Sequence, residues 1–423
     1  MIEPIIKIFG LFAGSVAGAA CAFVIQVLLA RELTLEEYGA FSTALATITL
    51  LSPLACMGVP GFLIRVFGVE GLEGVRWVRS SLKLASLGNL CILVILAVWG
   101  WLGPHDDMYF RLLCWMLPIV IGQTFAELVT VKLQLEERFY SLALWQIFPQ
   151  LIRGGVVIGV MLFIQYEPIQ HAYAAAYFMS SFLVAAVGIY SIKGMINGSF
   201  YLKGHSKKTA ILLSNDVCFN VILRHSLPFS LTGVLYIIYF QSDIILLNYL
   251  WSEKAAGLYN VAFTIMVAVY LLPNIIYQKF LLPKLYRWVN HDKKQFGKVF
   301  RMGNIVMAVS GLLVMIPAFM MMPSLIPLLF GEVYKGVIPI LDILLWCIPV
   351  RFLASSVVSV LVSESNVRRK TRCMAVVAII NVMLNCILIP LLGGEGAAIT
   401  TVISEVLLLL LFYRMVKKHV EII

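Results

Sequence analysis

The chain has 423 residues, 61% of them apolar and 13% charged, whereas ordinary soluble domains are about half apolar and about a quarter charged. With a mean hydropathy of +0.94, this composition excludes a soluble enzyme. The net charge of +10 leaves nucleic acid open as a partner until the placement of the basic residues is known.

A membrane-crossing helix needs about 20 predominantly apolar residues, and twelve stretches meet that need in chain order. Spans one to three are 8–30, 38–64 and 84–105, free of Asp, Glu, Lys and Arg. Span four, 112–131, is interrupted by Glu127, and span five, 139–166, by Arg153. Span six is 168–192, uncharged; span seven, 225–252, contains Asp243; spans eight and nine, 255–278 and 302–331, are uncharged. Span ten, 336–363, holds Asp342 and Arg351, span eleven is 373–394, and span twelve, 396–413, holds Glu405. The first stretch is longer than a signal-peptide core of about 7 to 15 residues, and Arg31 follows it without a cleavage site. It is expected to remain as span one. The expected fold class is therefore an all-α integral membrane protein with twelve transmembrane helices.

Twelve crossings put both termini on one side. Of the 32 Lys and Arg, only Arg31, Arg111, Lys254 and Lys335 fall in loops on the other side, while Arg153 and Arg351 lie within spans. The remaining 26 share the side of the termini. Cytoplasmic loops collect basic residues, so both termini are expected to be cytoplasmic. Topology then accounts for the net charge, and nucleic acid loses its support as a partner. Trp99, Trp101, Tyr109, Tyr166, Tyr249 and Trp251 fall near outer span ends, where amphipathic rings favour the headgroup level. Asn197-Gly198-Ser199 has the form of a glycosylation site but lies on the cytoplasmic side.

The longest mostly polar connection, Lys193 to Arg224, divides the spans into two sets of six. Residues 1–198 are expected to form one lobe, 199–223 a cytoplasmic connection, and 224–423 the second lobe. A short repeat supports the division. Glu37-Tyr38-Gly39-Ala40-Phe41-Ser42-Thr43-Ala44 at the entry to span two resembles Ala255-Ala256-Gly257-Leu258-Tyr259-Asn260-Val261-Ala262 at the entry to span eight, both reading Gly-x-aromatic-x-x-Ala. Equivalent spans six apart cross in the same direction, which predicts parallel repeats.

Ionisable residues inside a bilayer cost about 2.5 to 3.5 kcal/mol at its centre, so they mark where to look for function. Arg153, midway along span five, is the deepest cation and is expected either to line a cavity that takes an anion or to pair with a carboxylate such as Glu127. Arg351 stands in the same position, because Asp342 lies nine residues away and off its helical face. Arg65 and Arg31, near span ends, either contact substrate or extend to the headgroups. Asp243 either pairs with another helix or couples transport to H+ or Na+. Glu127 and Glu405 are read in the same way. The eight cysteines show no C-x-x-C spacing and read as packing residues. No P-loop, nucleotide fingerprint, His/Cys metal spacing or HExxH occurs, so no cofactor or metal is expected.

Four segments carry a resemblance to a known family. They are Ala30-Arg31-Glu32-Leu33 through Phe41, then Gly257 to Ala262, then Leu329-Phe330-Gly331-Glu332-Val333-Tyr334, and finally Asn381 to Asn385 with Pro390 and Gly393-Gly394-Glu395-Gly396-Ala397-Ala398. In this order they resemble the O-antigen-type polysaccharide flippases of the multidrug/oligosaccharidyl-lipid/polysaccharide exporter superfamily. The resemblance implies two six-helix lobes around a cavity that opens alternately to either side. It also implies a polyprenyl-diphosphate-linked oligosaccharide as substrate, moved to the outer leaflet of a bacterial plasma membrane. A polysaccharide polymerase and chain-length regulators are the implied protein partners, beside membrane lipids. Arginine, with its planar fork, suits a lipid diphosphate. Relatives that carry the peptidoglycan precursor have further C-terminal helices and an arginine cluster with no counterpart here. Two other functions compete: a cation-coupled multidrug exporter on the same scaffold, and a membrane-embedded polymerase, which would need a larger outer loop than 323–336.

Overall fold

The computed structural model describes residues 2–104, 106–163, 169–196, 202, 219–274, 293–358 and 364–419, and among them every regular element is helical. Among the described residues eight helices are long and apolar enough to cross a membrane, or up to ten when two bent pairs are each counted as one span. The chain is a multi-pass membrane protein. Rows of exposed Leu, Ile and Val, such as Leu90, Val94 and Ile95, present the apolar surface that lipid requires.

The first half of the chain contains α1 (Ile2–Glu32), α2 (Leu35–Ala55), α3 (Val59–Glu70), α4 (Val75–Leu102), α5 (Asp107–Met116), α6 (Pro118–Leu135), α7 (Phe139–Phe163) and α8 (Ile169–Ile196). The second contains α9 (Phe219–Leu250), α10 (Glu253–Asn274), α11 (Lys293–Phe330), α12 (Val337–Leu345), α13 (Cys347–Val358) and α14 (Glu364–His419). α14 is two helices joined at a kink where Gly393 has φ 57° and ψ −131°.

Local chemistry explains where these helices start and break. Thr34 caps α2: its hydroxyl accepts from the Glu37 N–H at 3.3 Å, and the Glu37 carboxylate accepts from the Thr34 N–H at 3.0 Å. This reciprocal pair satisfies two donors that a helix start leaves open. Ser252 caps α10 likewise, accepting from the Ala255 N–H at 3.2 Å. Between α2 and α3 the chain takes left-handed backbone at Met57 (φ 49°) and Gly58 (φ 70°), and Pro60 restarts the helix in its first turn. Inside a membrane the carbonyls freed by such a break need partners. Asn89 of α4 donates to the Ala55 carbonyl at 3.3 Å and bonds Thr124 of α6 at 3.1 Å.

The chain divides into two compact units: residues 1–25 with 44–237, and residues 26–43 with 238–423. The units therefore do not follow chain order. The end of α1 and the start of α2 lie in the second unit, and the first half of α9 lies in the first. Most of the expected connection, 199–223, lies outside the described residues. The first unit packs around Phe62, Leu63, Phe67, Leu128, Trp145 and Ile222. The second packs in part around Tyr239, Phe300, Val377, Leu408 and Phe412.

Within the second unit the two repeat copies touch. A Cβ on Gly39 would lie 1.8 Å from the Glu253 carbonyl oxygen, and one on Gly257 would lie 2.8 Å from the Leu35 carbonyl oxygen. Only glycine permits this approach. One turn further, the Asn260 amide donates to Ser42 Oγ at 3.0 Å and to the Tyr38 hydroxyl at 2.8 Å.

Of the aromatic residues expected at the membrane surface, Trp99, Trp101 and Trp251 are exposed. Tyr109 is not: it is buried and shares a hydrogen bond of 3.2 Å with Thr47. Its hydroxyl needed a partner, and α2 supplies one. Tyr166 and the 197–199 sequon lie outside the described residues.

Candidate functional site

Asp243 of α9 is buried in the second unit. Among the described residues it makes no ion pair. In place of a cation, three neutral donors surround it: Asn385 Nδ2 at 2.5 Å on Oδ1, and the Tyr259 and Thr401 hydroxyls at 2.6 and 2.7 Å on Oδ2. These come from α10 and both arms of α14, so the carboxylate ties three helices together. Asn385 also donates to Asn381 Oδ1 at 3.2 Å, and Asn381 donates to Ser404 Oγ at 3.2 Å.

Donors are scarcer than acceptors in this cluster. The single Thr401 hydroxyl proton faces both Asp243 and the Ala397 carbonyl at 3.0 Å, and Asn385 Oδ1 is buried without a hydrogen-bond partner among the described residues. Lone pairs without protons are what a small cation or an added proton satisfies. A cavity of about 20 Å³ adjoins Asp243, Tyr259 and Thr401, enough for one water-sized occupant. Among the described residues no group of three or more His, Cys, Asp or Glu gathers to hold a metal, so the donor set suits a monovalent ion or a proton.

Arg351 of α13 and Glu405 of α14 border the same region. The Arg351 Nη1 lies 3.1 Å from Glu405 Oε1 and 3.4 Å from Oε2. Its guanidinium also sits over the Phe240 and Tyr270 rings, at 4.6 and 5.6 Å. Its charge is thus balanced inside its own unit, and Glu405 is the carboxylate that balances it.

Arg153 lies in the first unit, in the middle of α7. Gln146, Gln150 and Arg153 recur at helical spacing along one face, and the face meets α1: Ser15 Oγ donates to Gln146 Oε1 at 2.7 Å. The Arg153 guanidinium stands 4.5 Å from the centre of the Tyr177 ring of α8. A π face attracts a cation but carries no compensating charge. Arg153 Nε and Gln150 Oε1 are buried and have no hydrogen-bond partner among the described residues. Glu127, the carboxylate of the alternative reading, is exposed on α6 and forms no ion pair among the described residues.

The other two candidate arginines are apart from these. Arg31, at the end of α1, donates from Nε to the Leu329 carbonyl at 2.6 Å and from Nη2 to the Leu328 carbonyl. It caps the last turn of α11, where open carbonyls favour a cation. Arg65 is exposed on α3 in the first unit. The four arginines are therefore split between the units, Arg65 and Arg153 in one and Arg31 and Arg351 in the other. Sequence reading missed Tyr259, Asn385 and Thr401 as the partners of Asp243. The available signal was the Asn381–Asn385 pair, two amides one turn apart in an apolar stretch.

The profile of the family described as "Polysaccharide biosynthesis protein" matches residues 6–288. Among solved structures, the fold is similar to that of MurJ, a lipid II flippase in an inward closed conformation, with 16% identity and a TM-score of 0.74 over 98% of this chain and 87% of that one. It is also similar to a multidrug resistance MATE family transporter of the MOP superfamily in an inward-facing conformation, with 14% identity and a TM-score of 0.71 over 95% and 94%. A MOP superfamily transporter from Pyrococcus furiosus matches at 14% identity and a TM-score of 0.65 over 98% and 95%. At these identities the likeness is one of fold. No curated protein sequence matches the chain.

Proposed function

The chain belongs to the polysaccharide biosynthesis protein family, and on that premise we propose that it is a flippase for a polyprenyl-diphosphate-linked oligosaccharide. The cargo is an O-antigen or related surface-polysaccharide unit. It passes from the cytoplasmic to the outer leaflet of a bacterial plasma membrane by alternating access, with no chemical reaction catalysed. Twelve spans with both termini cytoplasmic are the topology that the sorting of 26 basic residues supports. A polymerase and its chain-length regulators are the proteins that would take the product on the outer side.

Arg153 is the observation that carries this reading. An arginine in the middle of a membrane helix, half-buried and with no carboxylate partner among the described residues, offers its donors to an anion. A lipid diphosphate supplies charge in the geometry that a guanidinium matches. Asp243 is assigned to coupling. Its acceptor-rich surroundings suit H+ or Na+, and occupation would change what holds α9, α10 and α14 together.

Asp243 also favours the second reading, a cation-coupled multidrug exporter, whose MATE fold is shared. The two differ in cargo. The test is to reconstitute the purified protein in vesicles with a polyprenyl-diphosphate oligosaccharide and follow its accessibility on the far leaflet, with and without an H+ or Na+ gradient. Protein-dependent accessibility is expected. Its absence with folded protein and the organism's own glycolipid, together with resistance to cationic drugs on expression, would replace the flippase by the exporter.

A further inference from the structure

A second carboxylate within the apolar helices has no role in the arrangement above. Asp342 of α12 is half-buried, and among the described residues it has neither a hydrogen bond nor an ion pair. The nearest cation along the chain, Lys335, is held by Glu332. Asp342 lies in a groove of about 320 Å³ whose other walls are apolar: Phe319 of α11, Trp346 just beyond α12, and Ile399, Val402 and Ile403 of α14. Trp346 and Phe319 meet edge to face at 6.1 Å. Trp346 is 57% exposed and Ile403 44%, so the groove opens on the surface.

Depth places the groove in one leaflet. Asp342 is five residues beyond the start of α12 at Val337, and Trp346 nine, which is about 8 and 14 Å along a helix. Half of a hydrocarbon core is about 15 Å. The carboxylate therefore lies about midway between the headgroup boundary and the midplane, in the leaflet on the side of the Gly331–Gly336 connection, and the aromatic floor reaches towards the midplane. A carboxylate facing lipid without a partner is costly, and a ligand that brings a positive donor removes that cost.

We propose that this groove binds one phospholipid with a primary ammonium headgroup, of the phosphatidylethanolamine type. An acyl chain lies along Phe319, Trp346 and Ile403, and the ammonium donates to the Asp342 carboxylate. Charge complementarity selects the headgroup, because among the described residues Asp342 is the one charged residue lining the groove. The size of the groove selects a chain over a protein partner: a helix about 10 Å across would bridge it without entering.

The test uses the full-length protein in vesicles of equal parts phosphatidylethanolamine and phosphatidylglycerol, with brominated chains on one lipid or the other. Quenching of Trp346 fluorescence is isolated by subtracting the Trp346→Phe signal. Brominated phosphatidylethanolamine should occupy the site about fivefold more than brominated phosphatidylglycerol, a difference of about 1 kcal/mol. Asp342→Asn, nearly the same in shape, should abolish the preference, and Asp342→Glu should keep it. Equal quenching by both lipids in the native protein would overturn the proposal and leave annular lipid or a partner helix as occupant. So would a preference that survives Asp342→Asn.

Discussion

Arg153 and Arg351 are both half-buried arginines in apolar helices, and the company each keeps separates their roles. Arg351 is balanced by Glu405 at 3.1 Å, so removing it strands a buried carboxylate. Arg351→Ala should destabilise the protein by about 3 to 5 kcal/mol, and the double change Arg351→Met with Glu405→Leu should recover most of that loss; thermal unfolding in detergent reads both. Arg153 faces the Tyr177 ring and has no carboxylate partner among the described residues, so its removal leaves no buried charge behind. Arg153→Ala should leave membrane abundance unchanged while lowering transport about 10- to 100-fold, the range for losing a charged hydrogen-bonding contact, and Arg153→Lys should restore part of it. Loss of the protein from the membrane would instead make Arg153 structural. Asp243→Asn keeps the shape of the cluster but not its charge, and vesicle transport should then continue without its dependence on the ion gradient. Charges were legible in the sequence because few residues within the spans carry one. The partners Tyr259, Asn385 and Thr401 were not, since hydroxyl groups in membrane helices commonly bond their own backbone, as Thr400 does with Gly396 at 3.0 Å.

Among the elements, apolar stretches announced the helices, but the breaks within them had to be seen. Pro53, Pro149 and Pro317 all lie inside continuous helices. The break after α2 comes at Met57 and Gly58, where left-handed backbone and the Asn89 amide on Ala55 make it stable. The entry to α2 depends on its closeness to α10. Gly39→Ala sets a methyl against the Glu253 carbonyl and forces the two helices apart, an overpacking that costs about 1 to 3 kcal/mol. Its unfolding midpoint should fall, whereas Gly68→Ala, with nothing within 4 Å, should not change it. Equal midpoints would mean that the seam between α2 and α10 adjusts freely.

For the molecule as a whole, charge sorting makes a topological prediction. A cysteine introduced at Glu332 should react with a membrane-impermeant thiol reagent added to intact cells, and one introduced at Arg79 should react only after the cells are opened. The reverse pattern would invert the orientation. The class of fold was legible because composition alone demands a membrane. The compact units cut across chain order at the end of α1, the start of α2 and the first half of α9, and no composition or charge pattern marks those points. The short sequence repeat proved to mark a place where the two copies meet. Residue 39 meets residue 253 and residue 257 meets residue 35, a constant offset taken in both directions, while Ser42 and Asn260, equivalent positions, bond each other. Reciprocal contact of this kind defines an isologous interface between identical subunits. The seam thus preserves the form of a homodimer, as expected if a half-length ancestor paired with itself before duplication and fusion made one chain. The two sides differ where serine faces asparagine and agree where each copy sets a glycine against the backbone of the other.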